Sequence, residues 1–185
     1  MEKLFFFLLP LLVLSCKSAE QYRGGIEELA GNWDTTTKAI SDFSAMVSAD
    51  MTNYTKAMAS LQLDETTTAK LKPEQVQAWE TAQKGATDAL GAYSPLQKTI
   101  NDFLQTWTEK TADVNALKEG LASGKLEGDV SGKITELSAM ATTGNENLTA
   151  WKASYSTVKN GVAAALSNLQ QVMSTLTTPA PAGKK

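Results

Sequence analysis

The chain reads as all-α: an elongated up-down-up three-helix bundle with heptad-like packing. Two observations predict it. Apolar residues recur at intervals of seven along three separate segments, and the stretches between those segments are polar, threonine-rich or glycine-rich. A 3.5-residue period sustained over five or more heptads belongs to helices that bury one seam against neighbours.

The first helix is expected over residues 26–62. Ile26, Trp33, Ile40, Val47, Tyr54 and Leu61 form its stripe, with Leu29, Phe43, Met51 and Met58 at the neighbouring position. The break "LDETTTAKLKP" follows at residues 63–73 and ends in Pro73, a residue suited to the first turn of a helix. The second helix is expected over 73–119, on Val76, Trp79, Ala86, Tyr93, Ile100, Trp107 and Val114. Pro95 interrupts this stripe. Ser94 and Gln97 offer a capping box there, yet the seven-residue phase passes from Tyr93 to Ile100, so a kinked continuous helix is expected rather than a loop.

Four glycines scattered through "EGLASGKLEGDVSG", residues 119–132, make the second turn. The third helix, 130–177, carries two interleaved series. One is Leu137, Gly144, Trp151, Val158, Ala165 and Val172; the other is Ile134, Ala141, Leu148, Tyr155, Val162, Leu169 and Leu176. At 1.5 Å per residue the bundle would be a rod on the order of 55–70 Å long.

With turns centred near residues 67 and 125, Trp33 falls level with residues near 101 and 149. Trp33, Phe103, Trp107 and Trp151 are then expected in one aromatic cluster, with Gly144 opposite Trp107. Val47 is expected to meet Ala86 and Ala165, and Tyr54 to meet Trp79. Aromatic stripes at this spacing are core more often than cofactor sites, which need convergent polar groups.

Composition excludes several kinds of chemistry. The 185 residues include no histidine and one cysteine, so the ordinary zinc, haem and copper ligands and the base of Ser-His or Cys-His catalysis are missing. The net charge of −3 with a single arginine, Arg23, argues against nucleic acid. The paired carboxylates Glu27/Glu28, Asp64/Glu65 and Glu127/Asp129 sit at helix starts and turns, where acids suit the helix dipole and the solvent. Thr36 and Asp50 fall on the inward phase of the first helix, although Met51 can carry the seam and leave Asp50 at the rim. No enzymatic activity and no metal or soluble cofactor are expected.

The single cysteine, Cys16, ends a greasy leader. Met1-Glu2-Lys3 precedes an apolar run from Leu4 to Leu14, interrupted only by Pro10 and too short to span a bilayer. Val13-Leu14-Ser15-Cys16 resembles the lipobox of bacterial lipoproteins, although Leu14 is bulkier than that family's usual residue. An ordinary secretory leader or an uncleaved signal anchor is the alternative. The resemblance implies cleavage between Ser15 and Cys16, a diacylglycerol on the Cys16 sulfur and an acyl group on the new amino terminus. It covers the leader and Cys16 alone.

On this reading residues 1–15 are a signal peptide, 16–25 a lipidated cysteine and linker, 26–178 the bundle and 179–185 a disordered tail. Lys17, which follows the lipidated cysteine, is not the aspartate that holds enteric lipoproteins in the inner membrane, so an outer-membrane location is expected. The tail "TTPAPAGKK" has Pro179 and Pro181 followed by Lys184 and Lys185. Cys16 together with Lys185 resembles the murein-lipoprotein family, lipidated helical rods joined to peptidoglycan through a terminal lysine. That family's chains are much shorter and trimerise, so its fold does not carry over.

Three functions remain open. The chain could be a lipid-anchored interaction or spacer module whose contact is the distal turn at residues 63–72, including Leu63, Asp64, Glu65 and Leu71. It could be a membrane-to-peptidoglycan tether through Lys185, or a carrier of a small apolar ligand. The partner is then the membrane itself together with another envelope protein or peptidoglycan, and self-association is possible.

Overall fold

The computed structural model describes residues 19–178. The leader, Ser15, Cys16, Pro179, Pro181, Lys184 and Lys185 lie outside the described residues. Within them the chain is all-helical: α1 (Arg23–Ser60), a single turn α2 (Glu65–Thr68), α3 (Pro73–Gly91), α4 (Tyr93–Ser123) and α5 (Val130–Thr177). No strand occurs among the described residues.

The helix ends follow local chemistry. Asp64 caps α2, its carboxylate accepting from the Thr67 N–H at 2.7 Å. α3 begins with Pro73, where a missing N–H costs no helical bond, and the Lys72 N–H donates to Gln75 Oε1 at 2.9 Å. α4 ends in a Schellman turn around Gly124, whose φ of 69° suits glycine. There Lys125 N–H reaches the Gly120 carbonyl at 2.8 Å and Gly124 N–H reaches that of Leu121 at 3.2 Å. Asp129 then opens α5 by accepting from Gly132 N–H at 2.8 Å.

The expected continuous second helix is instead two. α3 stops at Gly91, Ala92 forms a turn in right-handed helical geometry, and α4 starts at Tyr93. Pro95 has no N–H for the Gly91 carbonyl and its ring crowds that group. The backbone responds by tightening, and the Ala92 N–H bonds three residues back, to Ala89 O at 3.1 Å. The chain bends without a loop, and Ser94 lies inside α4 rather than capping it.

The chain divides into two compact units. One comprises the chain up to Phe43 together with Ile100–Thr149; the other comprises Ser44–Thr99 together with the chain from Ala150 on.

The first unit is built on the stacked indoles of Trp33 and Trp107, 3.7 Å apart between centroids and 14° from parallel. Phe103 lies 5.6 Å from Trp107. Each indole N–H donates to a threonine on the other helix: Trp33 Nε1 to Thr111 Oγ1 at 3.0 Å, and Trp107 Nε1 to Thr37 Oγ1 at 2.7 Å. Each threonine in turn donates to the carbonyl four residues back, Thr111 to Trp107 at 2.9 Å and Thr37 to Trp33 at 2.7 Å. The same four-residue spacing, Trp33 to Thr37 and Trp107 to Thr111, thus closes a reciprocal clasp between α1 and α4. No polar atom of either ring is left without a partner in a fully buried position, which is the condition for burying tryptophan.

These pairs correct the expected register. Both are centred on residue 72, whereas the sequence placed the turn near 67. The return helix still begins at Pro73, as expected, so the difference lies in the level at which α4 pairs with α1 and not in where the second helix starts. Trp33 therefore lies level with Thr111 rather than residue 101, and Trp151 is a buried residue of the other unit.

Gly144 does face Trp107. A Cβ there would stand 3.0 Å from Thr36 Cγ2 and 3.1 Å from Trp107 Cζ3. Both neighbours are held, Trp107 by its stack and Thr36 by the Asn145 amide at 3.1 Å. Alanine would gain about 1 kcal/mol of helix propensity, but crowding two fixed side chains costs about 1–3 kcal/mol. Gly144→Ala is expected to lower stability slightly, by about 1 kcal/mol in urea unfolding; a stabilised variant would mean that the contact is looser than described.

The second unit buries Val47, Trp79, Ala82, Ala86, Tyr93, Leu96, Trp151, Tyr155, Val162, Leu166 and Leu169. Leu166 rather than Ala165 is buried, Ala165 being half-buried. Tyr54 packs near Tyr93, with centroids 6.2 Å apart, as the later fold-back requires, in place of the expected pairing with Trp79.

Candidate functional site

The second unit holds the one place where charged groups and buried hydroxyls converge in this chain's described residues. Asp50 comes from α1, Tyr155 and Lys159 from successive turns of α5, and Tyr93 from the start of α4. Tyr155 donates its hydroxyl to Asp50 Oδ2. Lys159 Nζ donates to the same oxygen at 2.8 Å and to Tyr155 Oη at 3.2 Å. The ammonium also lies 5.4 Å from the centre of the Tyr155 ring. Around them the rings of Tyr54, Tyr93 and Tyr155 form a tilted series, with Tyr93 and Tyr155 6.4 Å apart and nearly edge to face.

Position on the helix explains each contribution. Tyr155 and Lys159 are four residues apart, so they project from one face of α5. Asp50 follows Val47 by one helical turn, where the seam of α1 changes from fully buried to half-buried. Its side chain is 22% exposed, neither the solvated rim residue that the sequence allowed nor a buried acid.

The electrostatics hold every group in its resting state. The Lys159 and Tyr155 hydrogen bonds pull the Asp50 carboxyl below its usual range. Burial, then the bond to Asp50, pushes the Tyr155 phenol up. The bonds to Asp50 and Tyr155 raise Lys159. Burial, aided by the Asp50 charge, takes Tyr93 to about 12. Near neutral pH the carboxylate stays charged, the ammonium stays charged and both phenols keep their protons. General acid–base work needs a group poised near the working pH, and these are all moved away from it.

Their joint contribution to stability has a defined pH window. Asp50 sits lower in the folded than in the unfolded chain, so its contribution is complete above the ordinary value of 3.8 and fades as the pH falls through the lower folded value. Lys159, raised above 10.5, contributes below that pH and loses its part as the pH rises through its folded value. Urea unfolding from about pH 5 down to about pH 2 is expected to show the wild-type chain losing more stability than Asp50→Asn. Parallel curves would remove the linkage.

The expected contact turn is polar and threonine-rich in the structure as in the sequence. Asp64 is fully engaged: the hydroxyls of Thr66 and Thr67, at 2.5 and 2.8 Å, and the Thr67 N–H draw its carboxyl down to about 2. Glu65 is exposed in the first turn of α2. Leu63 and Leu71 are half-buried, so the turn shows solvent mainly threonine and charge. Met46, 42% exposed, is the one large apolar side chain more than a third exposed among the described residues, and it lies on α1.

Thr36, the other inward polar residue of α1, is 2% exposed and accepts from Asn145 Nδ2, which also donates to the Ala141 carbonyl. It is a satisfied core group of the first unit. A groove of about 500 Å³ beside the α4–α5 turn is bordered by Glu119, Lys125, Glu127 and Lys133, whose alternating signs create no net field for one kind of charge. No group of three or more acidic, histidine or cysteine residues able to hold a metal occurs among the described residues. None of the described helices is long and apolar enough to cross a membrane.

Sequence reasoning placed Tyr93 and Tyr155 in the apolar seam and did not single out Lys159. The i,i+4 pair Tyr155/Lys159 was the available signal, but only the observed register sets it against Asp50. No family model, no curated protein and no solved structure matches this chain.

Proposed function

We propose that the chain is a lipid-anchored protein of the bacterial cell envelope, acting through its helical body as a non-enzymatic interaction or spacer module. The observation that carries this reading is Cys16, the only cysteine, placed at the end of an apolar leader in Val13-Leu14-Ser15-Cys16. Acylation there removes the thiol and fixes the protein to a membrane without a spanning helix; more than one acyl chain makes that anchoring stable. Few residues separate Cys16 from α1, which starts at Arg23. The body would therefore begin close to the lipid surface.

The contacts within the first unit support the up-down-up path. In the first unit, Trp33 pairs with Thr111 and Thr37 with Trp107, so numbers rise on α1 as they fall on α4. Gly25 lies near Ile134 and Thr36 near Asn145, so α1 and α5 rise together. The resting protonation states around Asp50 favour a structural role for that cluster over proton transfer. The partner is another envelope protein or peptidoglycan, the membrane is the outer one, and the turn from Leu63 to Leu71 offers a polar contact.

Intact mass of the native protein, before and after digestion of the cell wall, tests this reading. The expected mass is that of Cys16 onward plus acyl chains. A lipidated species released only by wall digestion, with a muropeptide at Lys185, would make it a tether instead. An unlipidated mass would remove the anchor altogether.

A further inference from the structure

Tyr93 is fully buried, and among the described residues its hydroxyl has no hydrogen-bond partner. A buried hydroxyl without a partner is costly, about 1–3 kcal/mol, so native proteins almost always supply one. The groups around it are polar and incompletely used. Asp50 receives both of its hydrogen bonds on Oδ2, leaving Oδ1 without a described donor. Tyr54, half-buried, brings a third phenol to the same place, its ring 6.2 Å from that of Tyr93.

We propose that Tyr93 Oη, Asp50 Oδ1 and the Tyr54 hydroxyl together hold one internal water molecule, in a site that ties the α3–α4 bend to α1. Water is the ligand these groups select. Lys159 already neutralises Asp50 at 2.8 Å, so no net charge remains to draw an ion. The rings of Tyr54 and Tyr155 lie 6.2 and 6.4 Å from that of Tyr93, and Tyr93 itself offers no exposed surface to a larger molecule. Internal waters typically make two to four hydrogen bonds, and this arrangement supplies a donor, an anionic acceptor and a hydroxyl that can do either.

Tyr155, which is bonded to Asp50, has its ring 6.4 Å from that of Tyr93, and this contact brings Tyr93 to the carboxylate's neighbourhood. Position gives the water a purpose. Tyr93 is the first residue of α4, directly after Ala92, where Pro95 breaks the regular bonding of the helix. Asp50 also accepts from Tyr155 and Lys159 on α5, so one bridge at the bend would join three helices within the second unit.

The test uses the full chain. Water–protein nuclear Overhauser effects on the wild-type protein are expected to show a long-lived water beside the Tyr93 ring. Tyr93→Phe is expected to lower the folding equilibrium constant by about five- to ten-fold, the worth of one hydrogen bond. Amide exchange near residues 91–95 should quicken in the same variant. If Tyr93→Phe is as stable as the wild type or more so, the hydroxyl was an unpaired liability and the water is absent. Should that variant fail to fold, the wild-type spectra decide: no long-lived water at Tyr93, or a protein acceptor for its hydroxyl, overturns the proposal.

Discussion

Trp107→Ala is expected to lower the unfolding free energy by about 3–5 kcal/mol, near the top of what a single large-to-small core change costs. Trp107 is 1% exposed, stacks at 3.7 Å on Trp33 and packs 5.6 Å from Phe103. The expected loss is large because the site cannot collapse. Its neighbour across the interface is Gly144, which has no side chain to move into the space. The polar part of the clasp costs less: Thr37 keeps its bond to the Trp33 carbonyl, and Trp33 keeps its bond to Thr111.

Against a typical total of about 5–15 kcal/mol, this substitution consumes much of the margin. Urea unfolding followed by circular dichroism gives the number, and the near-ultraviolet signal of the stacked indoles should vanish with it. Gly144→Leu in the Trp107→Ala background is expected to recover part of the loss, since the two sites share one volume. A loss below about 1 kcal/mol, the scale of a surface change, would mean that the two rings do not form the centre of the unit.

Cys16→Ala is expected to abolish anchoring. The sulfur is the atom that would carry diacylglycerol, and each buried CH₂ contributes about 0.8 kcal/mol, so no change elsewhere in the chain should alter membrane affinity as much. The predicted readout is an intact mass without acyl chains and with the leader still attached, because cleavage between Ser15 and Cys16 follows lipid transfer in the lipoprotein resemblance. A mass that differs from the wild type only by the sulfur atom lost in the substitution, with unchanged membrane fractionation, would show that Cys16 has no such role and would return the leader to an ordinary secretory one. These two substitutions address separate parts of the chain: Trp107→Ala should leave acylation intact, and Cys16→Ala should leave the unfolding midpoint of the helical body unchanged.

Heptad periodicity in the sequence was enough to specify the helices because it is a local property. A residue seven positions on returns to nearly the same face, so Ile26, Trp33, Ile40 and Val47 had to share a buried seam wherever the partner helix lay. The punctuation was legible for the same reason: Pro73, Gly124 and Asp129 each act through bonds within a turn or two of themselves. The opposition of Gly144 to Trp107 could also be read, since it depends mainly on the short glycine-rich turn between α4 and α5.

Register across the first turn is not local, and there tertiary structure decided. The link from Ser60 to Pro73 has nearly the expected bounds, yet α1 and α4 pair about residue 72 rather than 67. A shift of a few residues at that turn changes every level of the pairing. It brings Tyr54 to Tyr93 and sets Asp50 against Tyr155 and Lys159. The polar cluster was invisible beforehand because its members lie about a hundred positions apart, and no property of Asp50 alone distinguishes a solvated carboxylate from one held by two donors. Sequence alone determined which faces of the helices are apolar; the packing of those faces chose which polar residues would meet between them, since hydrophobic burial tolerates several registers and hydrogen bonds accept few.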